Sequence, residues 1–123
     1  MTPIERQFDF YLDDMLKSML RITEYINGKK FADFKKDYML VDAVVRNFEI
    51  IGEASKNIPL AIQKKHPEIP WKKMYGLRNL ITLEYFGIDH EMLWEIASVS
   101  LPQNIQDLEK IIEEHRNTRD NGE

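Results

Sequence analysis

The chain has 123 residues and a net charge of −4. That length fits one domain around a single core, and the acidic balance gives no support to a protein that coats nucleic acid by bulk electrostatics. The absence of cysteine excludes disulfides and thiolate metal sites and suits a cytoplasmic location.

No apolar run approaches the ~20 residues that span a bilayer. The start, MTPIERQFDF, lacks the basic-then-apolar order of a signal peptide. The spacing predicts a first helix from Pro3 to Asn27. Thr2 is the expected cap, Pro3 suits the first helical position, and Glu5 completes a capping box. Phe8, Leu12, Met15, Met19, Ile22 and Ile26 recur at four- and three-residue steps, which is one helical face. Asn27-Gly28 supplies a stop. A helix about 35 Å long at ~1.5 Å per residue implies a bundle.

Phe31 to Lys36 reads as a connector with one short helical turn, its Phe31 and Phe34 closing the end of the bundle. Asp37 is placed to cap a second long helix, Tyr38 to Asn57, whose apolar stripe is Val41, Val44, Phe48 and Ile51. Arg46, Glu49 and Glu53 fall off that stripe or at its border. Gly52 inside the helix implies a close helix crossing. Leu60 to Lys65 is expected to be a short helix behind Pro59, and HPEIP, His66 to Pro70, to be extended. A third long helix should start at Pro70 or Trp71 and end close to Tyr85, before Gly87. Asp89 should cap a fourth, His90 to Arg116, that kinks or breaks at Pro102. Asn117 to Glu123 reads as a frayed polar tail. No strand signal, repeat or linker is present. The expected architecture is one all-α domain over residues 1–123, an up-and-down four-helix bundle with one or two short extra helices.

Chemically capable residues are few. His66, His90 and His115 lack partners at metal-site spacing and read as exposed polar residues. There is no glycine-rich phosphate loop and no recognisable nucleophilic serine. Lysines pair at Lys29-Lys30, Lys35-Lys36, Lys64-Lys65 and Lys72-Lys73, which read as solvated helix ends and loops. Arg78 and Asn79 differ. They sit among Met74, Tyr75, Leu77, Leu80 and Ile81, so the arginine needs a partner. That partner is either Glu49 or Glu53 across the bundle or a bound phosphate, which a planar guanidinium grips well. Tyr85, seven residues on, shares the arginine's face about 10 Å away if the helix persists. On its own it reads as a core-edge aromatic with its hydroxyl in water.

The segment RNLITLEYFGID, Arg78 to Asp89, resembles the signature of HepT-like toxins of the HEPN superfamily, Arg-x4-His-x-Tyr. Supporting resemblance runs through RNFEIIGEAS, HPEIPWKKMYGLRN and Leu101-Pro102, so it covers most of the chain in order. Arg78, Asn79 and Tyr85 match the signature, whereas Leu83 stands at the histidine position. The resemblance implies metal-independent endoribonuclease chemistry with no cofactor. The ribose 2′-hydroxyl attacks the adjacent phosphate, the arginine stabilises the phosphorane and the histidine moves protons. It also implies a homodimer whose cleft brings two motifs together. Its partner is an MntA-like nucleotidyltransferase antitoxin that transfers AMP to the motif tyrosine, here Tyr85. Leucine cannot donate or accept a proton, so this chain is expected to keep the fold and lose most cleavage. The alternative is a non-catalytic helical binding module for a nucleotidyltransferase or a nucleotide.

Overall fold

A computed structural model describes residues 3–83 and 89–121, with side chains over 8–77 and 89–117. It is all-α, and no strand occurs among the described residues. The first helix, α1, spans Pro3–Ile26. All six apolar residues of its predicted face, Phe8 through Ile26, are buried. The expected Thr2 cap and the Glu5 side chain lie outside the described residues. The stop is where the sequence puts it: Gly28 has φ +75°, and the Lys29 N–H donates back to the Ile26 carbonyl at 2.9 Å.

A short helix, α2 (Phe31–Lys36), follows, held at its start by the Lys30 N–H donating to Asp33 Oδ2 at 2.9 Å. Phe34 is fully buried. Its ring lies 5.4 Å from Trp94, and that of Phe31 lies 6.3 Å from the same indole, so both phenylalanines close the bundle end as expected. The central helix is α3, Tyr38–Lys56, and Asp37 caps it by accepting the Leu40 N–H at 3.1 Å. Val41, Val44, Phe48 and Ile51 are buried, and Gly52 is buried with them.

The helix α4 covers Leu60–Lys65. Residues 66–70 form a turn, not the expected extended run: the Ile69 N–H donates to the His66 carbonyl at 3.3 Å. The pre-proline restriction acts only on His66 and Ile69. Pro67 sits at the second turn position, where its fixed φ is favoured. The turn drives Ile69 into the core and aims the chain into α5, Trp71–Leu83. The expected helix end near Tyr85 lies outside the described residues.

Asp89 caps the last long segment by accepting the Met92 N–H at 3.0 Å. That segment comprises α6 (His90–Glu95), a π-helical turn (Ile96–Ser100) and α7 (Leu101–Asn121), which run on without interruption. Of the kink or break expected at Pro102, the break does not occur. A proline removes one helical donor and crowds the preceding turn. The wider turn, closed by the Leu101 N–H on the Ile96 carbonyl, absorbs that mismatch. Backbone from Asn117, expected as a tail, is helical as far as Asn121.

In the assembled bundle α3 packs against both α1 and α5, and α1 also packs against α7. The fold is the expected helical bundle, with α2 and α4 as its short extra helices.

Gly28 allows a direct check on the α1 stop. An added Cβ would meet nothing within 4 Å, so only the positive φ opposes substitution. Gly28→Ala is expected to destabilise the fold by about 1 kcal/mol, read as a fall of about 4 °C in thermal midpoint.

Candidate active site

The segment that carries the motif is α5, and two anchors set its direction. The Trp71 indole is buried, and its Nε1–H donates to the His66 carbonyl at 2.9 Å, fixing the helix start to the preceding turn. One turn on, Met74 and Leu77 are buried against α3. They line a small apolar cavity of about 100 Å³ with Phe48, Ile51, Leu101 and Asn104. Lys72 and Gly76 are exposed on the other side, and Lys73, also exposed, borders that cavity as well.

Helical backbone continues from Trp71 through Leu83. Positions 71, 74 and 78 form one line, the first two with buried side chains. Positions 72, 76, 79 and 83 form another, whose first two are exposed. Positions 78 and 83 therefore point about 140° apart on this helix. The side chains of Arg78, Asn79 and Leu83, and all of Tyr85, lie outside the described residues. Glu49, one of the two proposed structural partners of Arg78, has Arg46 Nη1 4.0 Å from its Oε2 in an exposed i,i+3 pair, a geometry worth little by itself. Glu53, the other, is also partnered. Arg46, Glu49 and Glu53 line an open groove of about 280 Å³ with Tyr11 and Asp14, between α1 and α3.

The three histidines are half-buried, which corrects the exposed reading. His90 lies 6.4 Å edge-on to Phe34, and His115 lies 4.7 Å edge-on to Phe8. His66 Nδ1 is 3.6 Å from Glu68. His115 Nε2 comes within 3.0 Å of Asp9 Oδ1 but without hydrogen-bond geometry. The partners of His90 and His115 come from elements distant in sequence, so no local spacing announced them, whereas that of His66 lies two residues away. Among the described residues no group of three or more His, Asp or Glu could hold a metal.

The structure also groups residues that the sequence shows only as separate pairs. The turn at 66–70 sets α4 beside the start of α5, and Lys64, Lys72 and Lys73 then line one groove of about 350 Å³ with Leu60, Pro67 and Trp71. Lys56 Nζ sits 5.6 Å from the centre of the Tyr75 ring. The signal for this groove was present as two lysine pairs, Lys64-Lys65 and Lys72-Lys73, seven and more residues apart.

The family model described as ribonuclease HepT-like matches residues 15–114. The chain belongs to that family, within the HEPN superfamily. Its relatives include the probable ribonuclease HepT of Thermococcus cleftensis, 38% identical over 88% of this chain and 98% of that one. A protein of Methanocaldococcus jannaschii whose name designates it a candidate RNase is 39% identical over 85% of this chain and 86% of that one. A third, similarly named, from Caldanaerobacter subterraneus subsp. tengcongensis is 36% identical over 86% and 95%. No solved structure matches the chain at a significant level. No helix among the described residues is long and apolar enough to cross a membrane.

Proposed function

We propose that this chain is the toxin of a toxin–antitoxin pair, a metal-independent endoribonuclease by descent whose cleavage is disabled by Leu83. The observation that carries the reading is the family match, which spans residues 15–114 and so includes Arg78, Asn79 and position 83. In this mechanism an RNA 2′-oxygen attacks the adjacent phosphorus, a cyclic phosphate forms and the 5′-oxygen leaves with a proton. Arg78 binds the phosphate and stabilises the charge that grows on its oxygens. Asn79 holds the nucleotide by hydrogen bonds. A histidine at position 83 would move the protons. Leucine there removes the proton carrier and leaves phosphate binding in place.

The regular backbone of α5 supports a site shared between two chains. With positions 78 and 83 about 140° apart, one helix does not present both to one phosphate, whereas a cleft between two copies can. Phe10, Leu20, Tyr38, Met39 and Val99 are exposed apolar residues that such an assembly could use. The antitoxin is a nucleotidyltransferase that uses ATP and its own metal to place AMP on the Tyr85 hydroxyl. The added phosphate charge repels the RNA backbone and blocks the cleft.

Leu83 itself favours a second reading, a binding module that holds the nucleotidyltransferase or a nucleotide without cleaving RNA. Leu83→His separates the two. On the ribonuclease reading it produces RNA cleavage and growth arrest, and adding Arg78→Ala lowers the restored rate by at least about a hundredfold. A Leu83→His protein that neither cleaves RNA nor arrests growth would favour the binding module.

Light scattering at micromolar concentration is expected to give the mass of two chains, and a single-chain mass alone would sink the shared cleft. Intact-mass measurement after incubation with the nucleotidyltransferase, ATP and Mg²⁺ should show an increase in adenylyl steps that is absent in Tyr85→Phe. An increase that persists in Tyr85→Phe removes this tyrosine as the acceptor.

A further inference from the structure

We propose that the exposed face of α5 bearing Lys72, Lys73 and Gly76 is a track for single-stranded RNA, leading from the groove between α4 and α5 to the segment of Arg78 to Leu83. The proposal rests on the ribonuclease reading and extends it to residues outside the motif.

Gly76 is the starting observation. Glycine is among the poorest helix formers, yet it stands inside α5. Its φ is not positive, so no unusual backbone conformation requires it. A Cβ built there meets nothing within 4 Å among the described residues, and the position is exposed, so no packing among them requires it either. A missing side chain on an open helix face serves close approach by something outside the chain.

The charges around it say what that is. Lys72 and Lys73 stand one turn before Gly76, and Lys64 faces them across the groove. Lys65 adjoins Lys64, and Lys56 lies over the Tyr75 ring. From Lys56 to Leu77 there are five lysines and one acid, Glu68, in a chain whose net charge is −4. That acid lies beside the His66 imidazole. Three of these lysines, Lys64, Lys72 and Lys73, share one groove, and that local charge calls for a polyanion. A helix from a second protein would need an apolar seam here. The described face of α5 offers two lysines and a glycine instead.

Register supplies the direction. Positions 72, 76, 79 and 83 share one helical line, with position 79 about 10 Å and position 83 about 17 Å beyond Lys72 at ~1.5 Å per residue. A strand whose phosphates engage Lys72 and Lys73 crosses bare backbone at Gly76 and arrives at Asn79 and Leu83 within a few nucleotides. Lysine suits this role because it contacts phosphate as a mobile point charge without reading sequence.

The test is fluorescence anisotropy with a short fluorescein-labelled single-stranded RNA on the intact Leu83 protein, so that binding is read without cleavage. Gly76→Glu should melt no lower than the parent and weaken binding about tenfold or more by placing a carboxylate in the phosphate path. Lys72→Glu with Lys73→Glu should weaken it similarly and lower the salt slope of log K by about two. Lys29→Glu with Lys30→Glu, the same charge change at the α1–α2 connection, should stay within about twofold. Equal losses from both lysine pairs, or no loss from Gly76→Glu, would overturn the track. So would a Gly76→Glu protein that loses its dimer while keeping its RNA affinity. If Leu83→His cleaves RNA and neither the Gly76 nor the Lys72–Lys73 change alters binding, the ribonuclease reading stands and the track falls. If the parent binds no RNA and Leu83→His is also silent, both fall.

Discussion

The buried seam of α3 is the constraint on which the molecule depends. Val44, Phe48 and Ile51 are almost completely inaccessible, and α3 contacts both α1 and α5. Each such side chain contributes roughly 1.5–3 kcal/mol on burial. Two polar residues are buried on this helix, Asn47 and Ser55. The Asn47 Nδ2 donates to the Ala43 carbonyl at 2.9 Å, while its Oδ1 meets no donor among the described residues. Ser55 meets its own need by donating to the Gly52 carbonyl at 2.8 Å. Because α3 is held from both sides, α5 has a fixed floor, and the motif segment inherits its direction from apolar packing one turn earlier.

That direction also depends on a small hydrogen-bonded joint. The His66 carbonyl accepts from the Ile69 N–H and from the Trp71 indole, so one oxygen ties the turn to the first residue of α5. Gln63 adds a brace, its Nε2 donating to the Ile58 carbonyl at 2.9 Å. With these bonds made, α4 and α5 cannot separate freely. The lysines they carry are held on one surface although like charges repel. Exposed lysines tolerate this because water and salt screen them. An anionic ligand that replaces the counterions then meets a surface already assembled.

What the sequence made legible was the local chemistry. Asp37 and Asp89 cap the helices they precede because a short carboxylate reaches the first-turn N–H groups whatever the rest of the fold does. The buried faces of α1 and α3 followed from period alone. The family was legible because the resemblance runs in order through most of the chain. The errors have a common cause. The π-helical turn before Pro102 is a backbone adjustment with no residue signature, and the turn at His66 to Pro70 depends on which turn position Pro67 occupies. The half-buried histidines depend on Phe8 and Phe34, which are distant in the chain from His115 and His90. The two lysine pairs were visible but their grouping was not, since Lys64 and Lys72 come to one groove only after the turn has formed.

The helical lines of α5 separate two tasks that a nuclease must combine. Position 78 follows Trp71 and Met74, the line that fastens the helix to the bundle. Position 83 follows Lys72 and Gly76, the line that meets solvent. On the proposed reading, the phosphate-gripping arginine is rooted in the rigid part of the molecule and the proton carrier belongs to the face along which RNA arrives. Rigid seating suits a group that must stabilise developing charge without reorganising. An open line suits a group that must exchange protons with a substrate and then with water. On that same reading, leucine at position 83 interrupts only the second task. It leaves the lysines, the bare backbone at Gly76 and the packing beneath Arg78 unaltered, so loss of cleavage need not carry loss of fold or of RNA binding.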